Sequence, residues 1–178
     1  MGHDKALLVR DGETQLSRAV KLLSPLVERV FVSTRPDQAT DAERSKYEQI
    51  IDRYEDLGPV AGILSAMDRN AQVSWLVVAC DLPNIDEQTI RLLLTEQSAT
   101  QPFTAYTSSH DSLPEPLCAI YTPASRALID AFVAEGMICP RKMLMRSDTR
   151  LLTQPDPAAL DNVNTPQDLE RSKVRIAS

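Results

Sequence analysis

Two charged residues stand where an α/β sheet could use them for phosphate chemistry. Asp81 directly follows the most apolar run of the chain, residues 75–80, and Lys5 stands in a glycine-containing stretch. Ligands of open α/β sheets bind beyond the carboxyl ends of the strands, where Asp81 could hold Mg²⁺ and Lys5 could offset triphosphate charge. Asp81 could equally cap a helix or lie in a turn, and Lys5 could be a solvated surface cation.

A second group of candidates lies at strand ends and at a turn that contains two glycines. Ser33 and Asp52 each close a short apolar segment, and Gly58, Pro59 and Gly62 surround the start of a predicted helix. Gly58 suits a positive φ or a close ligand contact, Pro59 suits the first helical position, and Gly62 permits tight packing. The same residues would also form an ordinary turn and helix start without any ligand.

A third group could bind a phosphorylated second substrate. Arg141 could hold a phosphate through two hydrogen bonds, whereas the neighbouring Lys142 would act only as a point charge. Asn162 and Asn164 are two residues apart, so on a strand both amides would project to the same face. Surface salt bridges and a turn before a capped helix would explain these residues equally well.

Strand-like and helix-like segments alternate along the chain, which is typical of βαβ units around a mostly parallel sheet. Runs of apolar residues predict strands at residues 30–33, 49–52, 75–80, 103–107, 117–121 and 151–153. Apolar residues at helical spacing predict helices at residues 14–23, 60–67, 86–96 and 127–133, and a last helix opened by Thr165 and Pro166. We therefore expect a three-layer α/β/α fold with a doubly wound, mostly parallel but mixed sheet.

Length and charge limit the classes of function. The 178 residues suffice for one domain with a sizeable core, and we expect a single domain over residues 1–178. Lys and Arg number 19 against 25 Asp and Glu, which gives a net charge of −6. No basic field is therefore expected for nucleic acid, whereas small phosphorylated ligands need only a few local cations and backbone N–H groups.

Cysteines and apolar runs point to a cytoplasmic location. The three widely spaced cysteines, Cys80, Cys118 and Cys139, fit neither a disulfide framework nor a zinc site. The sequence has no basic-then-apolar secretory leader, and its apolar runs fall far below the roughly 20 residues of a membrane helix. His3 and His110 form no recognisable Ser–His–Asp set, so a hydrolase has little support.

Four stretches together resemble the molybdenum cofactor guanylyltransferase family and its nucleotidyltransferase relatives. Residues 1–8 match the second half of the family's loop G-G-x-S-x-R-M-G-x-D-K, and residues 56–63 resemble its G-P-[LV]-x-G turn. Residues 78–83 resemble its apolar-C-D-x-P segment, and residues 161–166 its closing N-V-N-T-P segment. The resemblance extends from Met1 almost to the end of the chain.

This resemblance implies a Rossmann-like nucleotidyltransferase fold and a Mg²⁺-dependent reaction. GMP would pass from GTP to the molybdopterin form of the molybdenum cofactor, with release of pyrophosphate, and molybdoenzymes or their chaperones would be partners. Lys5 and Asp81 would be catalytic, and Asp81 would hold the metal. The implied nucleotide-binding residues are Lys5, Ser33, Asp52, Gly58, Pro59, Gly62 and Asp81, and the implied acceptor-binding residues are Arg141, Asn162 and Asn164.

Two further interpretations remain open because the chain lacks the family's first strand and the two glycines of its loop. The lost strand would lie beside the strand that ends at Ser33 and near the one that ends at Asp81. Either the true start codon lies upstream or the chain is a degenerate paralogue, and we expect the former because the other motifs are intact. The two alternative functions are a cytidylyltransferase or other nucleotidyltransferase with a different phosphorylated acceptor, and a non-catalytic nucleotide- or partner-binding module.

Overall fold

A computed structural model describes residues 4–162, in which eight strands and five α-helices alternate. The strands are β1 (Val9–Arg10), β2 (Glu13–Thr14), β3 (Val32–Thr34), β4 (Gln49–Ile51), β5 (Trp75–Val78), β6 (Phe103–Thr107), β7 (Pro114–Tyr121) and β8 (Thr149–Thr153). The helices are α1 (Gln15–Leu23), α2 (Pro59–Arg69), α3 (Glu87–Thr95), α4 (Ser125–Ala134) and α5 (Pro140–Met145). Short 3₁₀ turns lie at Lys5–Leu7, Pro36–Gln38 and Arg44–Lys46.

The described strands form three separate hydrogen-bonded groups. The largest is a four-stranded sheet in the order β5-β7-β6-β8, in which β7 runs antiparallel to both neighbours and β6 pairs with β8 in parallel. β3 and β4 form a parallel pair of their own, and β1 and β2 form a small antiparallel hairpin. The sheet is therefore mixed, as expected, although β7 makes antiparallel pairing more frequent than the sequence pattern suggested.

Helices cover both faces of the four-stranded sheet. One face packs against α2, α4 and α5 through a cluster that includes Phe103, Ala105 and Tyr121. The other face packs against α1 and α3 through a cluster that includes Tyr106 and Ile120. Because side chains alternate between the faces of a strand, these two clusters give three layers. The predicted three-layer α/β/α architecture is confirmed.

Local sequence explains where the main helices begin. Thr14 caps α1 by accepting a hydrogen bond from the Ser17 N–H, and Asp86 caps α3 by accepting one from the Thr89 N–H. Pro59 occupies the first position of α2, where a missing N–H costs nothing. The predicted helices at 14–23, 60–67, 86–96 and 127–133 are confirmed within a few residues. The predicted helix at Thr165 and Pro166 lies outside the described residues.

β5 differs from its expected surroundings. Its four residues are all apolar, which predicts a strand covered by helices on both faces. In the structure all four are only half-buried, and β5 lies at one edge of the four-stranded sheet. β3 and β5 form no ladder with one another, and a groove lies between them. The family's first strand is expected in this region, beside β3 and near β5.

Candidate active site

Asp81, in the loop after β5, lies in contact with Lys5, and these are the first two candidates that the sequence predicted. Lys5 Nζ donates a hydrogen bond to Asp81 Oδ2 at 3.0 Å, across 76 positions of the chain. The Asp81 side chain is 15% exposed and that of Lys5 is 40% exposed. The lysine can therefore move toward a ligand, while the carboxylate stays in a largely buried position at the exit of the strand.

Packing fixes the Lys5 turn at the carboxyl ends of the strands. Ala6 is buried in a small cluster with Val32 of β3, and Cys80, just after β5, packs against that cluster. Asp4 caps the turn by accepting a hydrogen bond from the Ala6 N–H at 3.1 Å. The burial of Ala6 therefore fixes the position of the neighbouring Lys5 backbone near Asp81.

Arg44 holds the same turn from the other side. Its Nη2 atom donates to Asp4 Oδ2 at 2.7 Å, and its side chain is only 7% exposed. Asp41 lies 3.5 Å from a second guanidinium nitrogen and accepts hydrogen bonds from backbone N–H groups. A buried guanidinium needs such partners, because losing one leaves an uncompensated charge. Sequence reasoning missed Arg44, which stands in a polar stretch without helical or strand periodicity.

Cys80 is not suited to act as a nucleophile or metal ligand in this site. Burial, followed by the negative charges of Asp81 and Asp4, raises the pKa of the Cys80 thiol to about 11. The thiolate is the reactive and metal-binding form, and it is scarce at neutral pH when the pKa is that high. Chemistry at this edge of the sheet therefore depends on oxygen and nitrogen groups.

A second cluster forms where β3 and β4 end against α2. Ser33 Oγ donates to Asp52 Oδ1 at 2.9 Å, and Gly62 of α2 lies directly against this pair. A Cβ atom on residue 62 would stand 2.4 Å from Ser33 Oγ, so a larger residue there would displace the hydroxyl from its hydrogen bond to Asp52. Burial raises the pKa of Asp52, against the opposing effects of the Ser33 hydrogen bond and the Arg35 charge. Three of the predicted nucleotide-binding residues are thus in contact.

Gly58 and Pro59 form the turn that starts α2. Gly58 has φ +55°, and no heavy atom beyond its immediate neighbours lies within 4 Å of the place a Cβ would take. Its requirement for glycine is therefore conformational rather than steric. Both residues are exposed, so the turn presents open backbone beside the Ser33–Asp52 pair.

Arg141, a predicted acceptor-binding residue, is engaged by two carboxylates. Its Nη1 atom donates to Asp111 Oδ2 at 2.9 Å and its Nη2 atom donates to Glu115 Oε2 at 3.0 Å. The guanidinium thereby links the start of α5 to the loop before β7, through Asp111, and to β7 itself, through Glu115. Two of its five N–H groups are thus engaged, and a phosphate that bound through either of them would replace a carboxylate.

The segment after β8 is tied to two other loops. Asn84, three residues beyond Asp81, donates from Nδ2 to the Ala158 carbonyl at 3.3 Å. From the loop after β6, Ser109 Oγ donates to the Pro157 carbonyl at 2.7 Å, and His110 Nε2 lies 2.7 Å from Asp161 Oδ1. These contacts bring residues 156–161 to the edge of the sheet that carries Asp81.

Of the two predicted asparagines, Asn162 is the last described residue and is exposed, and Asn164 lies outside the described residues. His110 was set aside as a residue without a catalytic role. It tethers the loop after β6 to Asp161, a role that no spacing in the sequence could have revealed.

Arg10 was also missed by sequence reasoning. This buried residue donates from Nη1 to the Pro83 carbonyl at 3.2 Å, and its Nε atom lies 3.5 Å from Asp11 Oδ2. It thus supports the turn that follows Asp81 from the side of the β1–β2 hairpin. An arginine in a two-residue strand carries no distinguishing signal in the sequence.

Comparison with known proteins identifies the family. The profile of the MobA-like NTP transferase domain matches residues 1–151. The chain belongs to this family. The match includes the Lys5–Asp81 pair and the Ser33–Asp52–Gly62 cluster, so both described clusters lie within a nucleotidyltransferase domain.

Two curated relatives carry names from molybdenum cofactor synthesis. A molybdenum cofactor biosynthesis bifunctional protein of Synechocystis is 33% identical over 168 residues, covering 94% of this chain and 48% of the relative. The chain thus spans about half the length of that relative. A molybdenum cofactor guanylyltransferase of Shewanella (strain W3-18-1) is 26% identical over 177 residues, covering 98% of this chain and 89% of the relative.

Solved structures show the same fold. The molybdopterin-guanine dinucleotide biosynthesis protein A of Archaeoglobus fulgidus superposes with a TM-score of 0.79 at 22% identity, covering 99% of this transferase and 92% of that chain. The 2-C-methyl-D-erythritol 4-phosphate cytidylyltransferase of Thermus thermophilus gives a TM-score of 0.72 at 14% identity, with 98% and 94% coverage. The predicted nucleotidyltransferase fold is confirmed.

Two further observations concern the described part of this transferase. Within residues 4–162, no group of three or more His, Cys, Asp or Glu side chains comes together as a metal-binding cluster. Over the same residues, no helix has the length and apolarity needed to cross a membrane.

Proposed function

We propose that this transferase moves a guanylyl group from GTP to the phosphate of molybdopterin in the molybdenum cofactor, with release of pyrophosphate. The observation that carries the proposal is the Lys5–Asp81 pair at the exit of β5, where a cation and a carboxylate face the ligand-binding edge of the sheet. The names of the two curated relatives support the choice of substrates.

The acceptor itself supplies the attacking atom in this scheme. An acceptor phosphate oxygen forms a new bond to the α-phosphorus of GTP while the bond from that phosphorus to the bridging oxygen of the β-phosphate breaks. The electron pair of the broken bond leaves with pyrophosphate. The protein need not form a covalent intermediate, so its residues act by positioning and by stabilising charge. Lys5 would place its ammonium group against the phosphates, where negative charge increases during transfer.

Asp81 would hold a magnesium ion, and the donor set fits one. Mg²⁺ commonly binds one or two carboxylates and completes its shell with phosphate oxygens and water. Asp81 supplies a hard oxygen ligand in a largely buried position, and Asp4 adds a second negative charge close by. When bound, the ion would neutralise phosphate charge. The 40% exposed Lys5 side chain would add a second positive charge to the triphosphate.

The cluster at α2 would position the nucleotide. The Ser33–Asp52 pair and the turn at Gly58 and Pro59 lie together at the amino end of α2, with Gly62 allowing their close approach. Exposed backbone beside a fixed carboxylate suits hydrogen bonding to a base or a ribose. We assign nucleotide recognition to this cluster.

Arg141, Asn162 and Asn164 would face the acceptor. Arg141 already lies between two carboxylates, and an acceptor phosphate would replace Asp111 or Glu115 as its partner. Molybdoenzymes or their chaperones would receive the product. We also place the protein in the cytoplasm, and its three free cysteines are in keeping with a reducing compartment.

A cytidylyltransferase is the second candidate. It is favoured by the Thermus thermophilus cytidylyltransferase, whose structure shares the fold at a TM-score of 0.72. Both functions would use the same Lys5–Asp81 pair, so competition between GTP and CTP for the purified protein separates them.

The decisive experiment measures nucleotide binding by calorimetry with and without Mg²⁺. We expect GTP to bind in a Mg²⁺-dependent manner, and Asp81→Asn to lose that dependence. Asp130→Asn, an exposed substitution on α4, is the matched control and should behave like the wild type. Transfer of labelled GMP to molybdopterin should fall by roughly 10²-fold or more in the Asp81 variant, as for loss of other groups that stabilise developing charge. Equal GTP affinity of Asp81→Asn and the wild type would remove Asp81 from the metal-binding role.

A further inference from the structure

Arg35, which directly follows β3, is a charged residue beside the cluster at α2 that the proposed reaction does not use. Its backbone is extended, with φ −69° and ψ 156°, as expected for a residue that precedes a proline. Side chains of extended residues alternate between two faces, and exposure follows that alternation. Ser33 is exposed, Thr34 is buried and the Arg35 side chain is 62% exposed. Arg35 therefore projects from the end of β3 on the same side as Ser33.

Two observations place Arg35 next to Asp52. The Asp52 N–H donates to the Thr34 carbonyl at 2.8 Å, so the peptide group that joins Thr34 to Arg35 lies against the end of β4. The hydrogen bond and the charge of Asp37 raise the pKa of Arg35, and the charges of Asp4 and Asp52 raise it by smaller amounts. Because Asp4 caps the Lys5 turn, Arg35 lies near both clusters of the candidate active site.

Asp37 holds the guanidinium group of Arg35 in one orientation. Its Oδ1 atom accepts a hydrogen bond from Arg35 Nε at 3.1 Å, and its Oδ2 atom accepts one from Nη2 at 3.2 Å. Among the described residues these two bonds use two of the five N–H groups, so the edge formed by Nη1 and Nη2 is open to a ligand. Such an edge is a planar fork of parallel donors, which suits two neighbouring acceptor atoms.

Guanine carries groups that match this pair of side chains. Along one side of the base, guanine presents its 2-amino group and N1–H as donors, and then O6 and N7 as acceptors. A carboxylate beside a guanidinium presents the complementary order, with Asp52 as the acceptor and Arg35 as the donor. Cytosine has neither the O6–N7 pair nor two adjacent donors, and adenine has an amino group in place of O6.

We propose that Arg35 selects guanine by donating two hydrogen bonds to O6 and N7 of the base, while Asp37 positions its guanidinium group. The assignment rests on the proposed function, because it needs the nucleotide to bind at the cluster beside α2. It extends that function by naming the residue that separates GTP from CTP.

Nucleotide analogues isolate the contacts in question. 7-Deaza-GTP keeps the triphosphate, the sugar and the donors of GTP but lacks N7, whereas ITP keeps O6 and N7 but lacks the 2-amino group. Affinities of the 178-residue chain for GTP, 7-deaza-GTP, ITP and CTP are measured by calorimetry with Mg²⁺. The variants are Arg35→Gln, Arg35→Lys and Asp37→Asn. Arg91→Gln is the matched control, because Arg91 on α3 is also 62% exposed and also donates from Nε to a carboxylate.

We expect the wild type to bind GTP about tenfold more tightly than 7-deaza-GTP, since the analogue lacks one acceptor of a charged donor. Arg35→Gln should bind GTP and ITP about 10- to 100-fold more weakly, which is typical of a lost bidentate base contact. It should no longer distinguish GTP from 7-deaza-GTP, and its preference for GTP over CTP should fall.

The other variants separate charge from geometry. Arg35→Lys keeps the charge but not the fork, so it should also lose most of the preference for GTP over 7-deaza-GTP. Asp37→Asn should give an intermediate preference, because the guanidinium is still present but less firmly oriented. Arg91→Gln should match the wild type with every nucleotide.

Failure of this assignment and failure of the proposed function give different results. If the wild type binds none of the nucleotides, both are wrong. If GTP binds but Arg35→Gln weakens GTP and 7-deaza-GTP by the same factor, Arg35 contacts phosphate or sugar and only its assignment to the base is overturned. GTP affinity that is unchanged in Arg35→Gln overturns the assignment in the same way.

Discussion

Gly62→Ala should leave stability nearly unchanged in the wild type but increase it when residue 33 carries no hydroxyl group. The added Cβ would lie 2.4 Å from Ser33 Oγ, far inside van der Waals contact, but 3.4 Å from Ser33 Cβ. The hydroxyl must therefore rotate away, whereas the rest of the side chain can stay. In a Ser33→Ala background that obstacle is absent. The tightest contact then left is 3.3 Å to Asp52 Oδ1, which the carboxylate can relieve by a shift of a few tenths of an ångström.

The magnitudes follow from two opposing effects. Rotation of the hydroxyl breaks its 2.9 Å hydrogen bond to Asp52, and such a bond contributes about 0.5–1.5 kcal/mol. Alanine in a helix interior is favoured over glycine by about 1 kcal/mol. In the wild type the two effects nearly cancel. In the Ser33→Ala background only the helical gain is left, so the same substitution should stabilise the fold by about 1 kcal/mol.

The assay is urea denaturation of the wild type, both single variants and the double variant, followed by circular dichroism. The coupling energy between positions 33 and 62 should be about 1 kcal/mol. GTP affinity should fall in Gly62→Ala, although its stability is nearly unchanged, because the Ser33–Asp52 pair is disrupted. An identical change in stability in both backgrounds would refute the steric reasoning.

The remaining predictions concern charge and burial. Because burial raises the pKa of Asp52, the folded state binds its proton more readily than the unfolded state, and stability falls as pH rises through the folded pKa. Asp52→Asn should therefore increase the free energy of unfolding more at pH 7 than at pH 4, as measured by urea denaturation. Cys80, with a pKa of about 11, should react with iodoacetamide at pH 7.5 far more slowly than exposed Cys139, as mass spectrometry of timed samples will show. Arg44→Met should destabilise the fold by about 1.5–3 kcal/mol because its hydrogen bond to the Asp4 carboxylate is lost, with thermal denaturation as the measurement.

Each of these predictions has a clear contrary result. A larger gain for Asp52→Asn at pH 4 would show that burial does not dominate the titration of that carboxyl. Equal alkylation rates of the two cysteines would show that the loop after β5 opens readily. An unchanged melting temperature for Arg44→Met would show that the Lys5 turn is held by apolar contacts alone.

The sequence predicted local features of the fold well. The strand over Phe103–Thr107 and the helix Glu87–Thr95 were expected almost residue for residue, since apolar periodicity and the Asp86 cap are properties of neighbouring positions. The six-residue helix Pro140–Met145 was missed because it is too short for a periodic pattern. The antiparallel placement of β7 was missed because strand direction depends on pairing between distant residues.

In the candidate active site, too, residues within sequence motifs were predictable, whereas residues that depend on distant partners were not. Lys5 and Asp81 were expected to act together through their resemblance to family motifs, and their contact is present. Ser33, Asp52 and Gly62 also meet, as strand ends and a packing glycine should. Buried Arg10 and Arg44 could not be found, because their importance comes from carbonyl and carboxylate partners that only the folded chain brings near.

The turn of residues 81–84 has a consequence for how substrate choice could change. Its first residue, Asp81, accepts a hydrogen bond from Lys5, and its last, Asn84, donates one to the Ala158 carbonyl. Under the proposed function, a few bonds therefore separate the nucleotide side of the site from the acceptor side. A variant with a redesigned acceptor pocket must keep the Asn84 amide and the Ala158 carbonyl in register, or the carboxylate three positions earlier will shift as well. New acceptors are therefore most accessible through side chains of the 156–162 segment, with its main chain left in place.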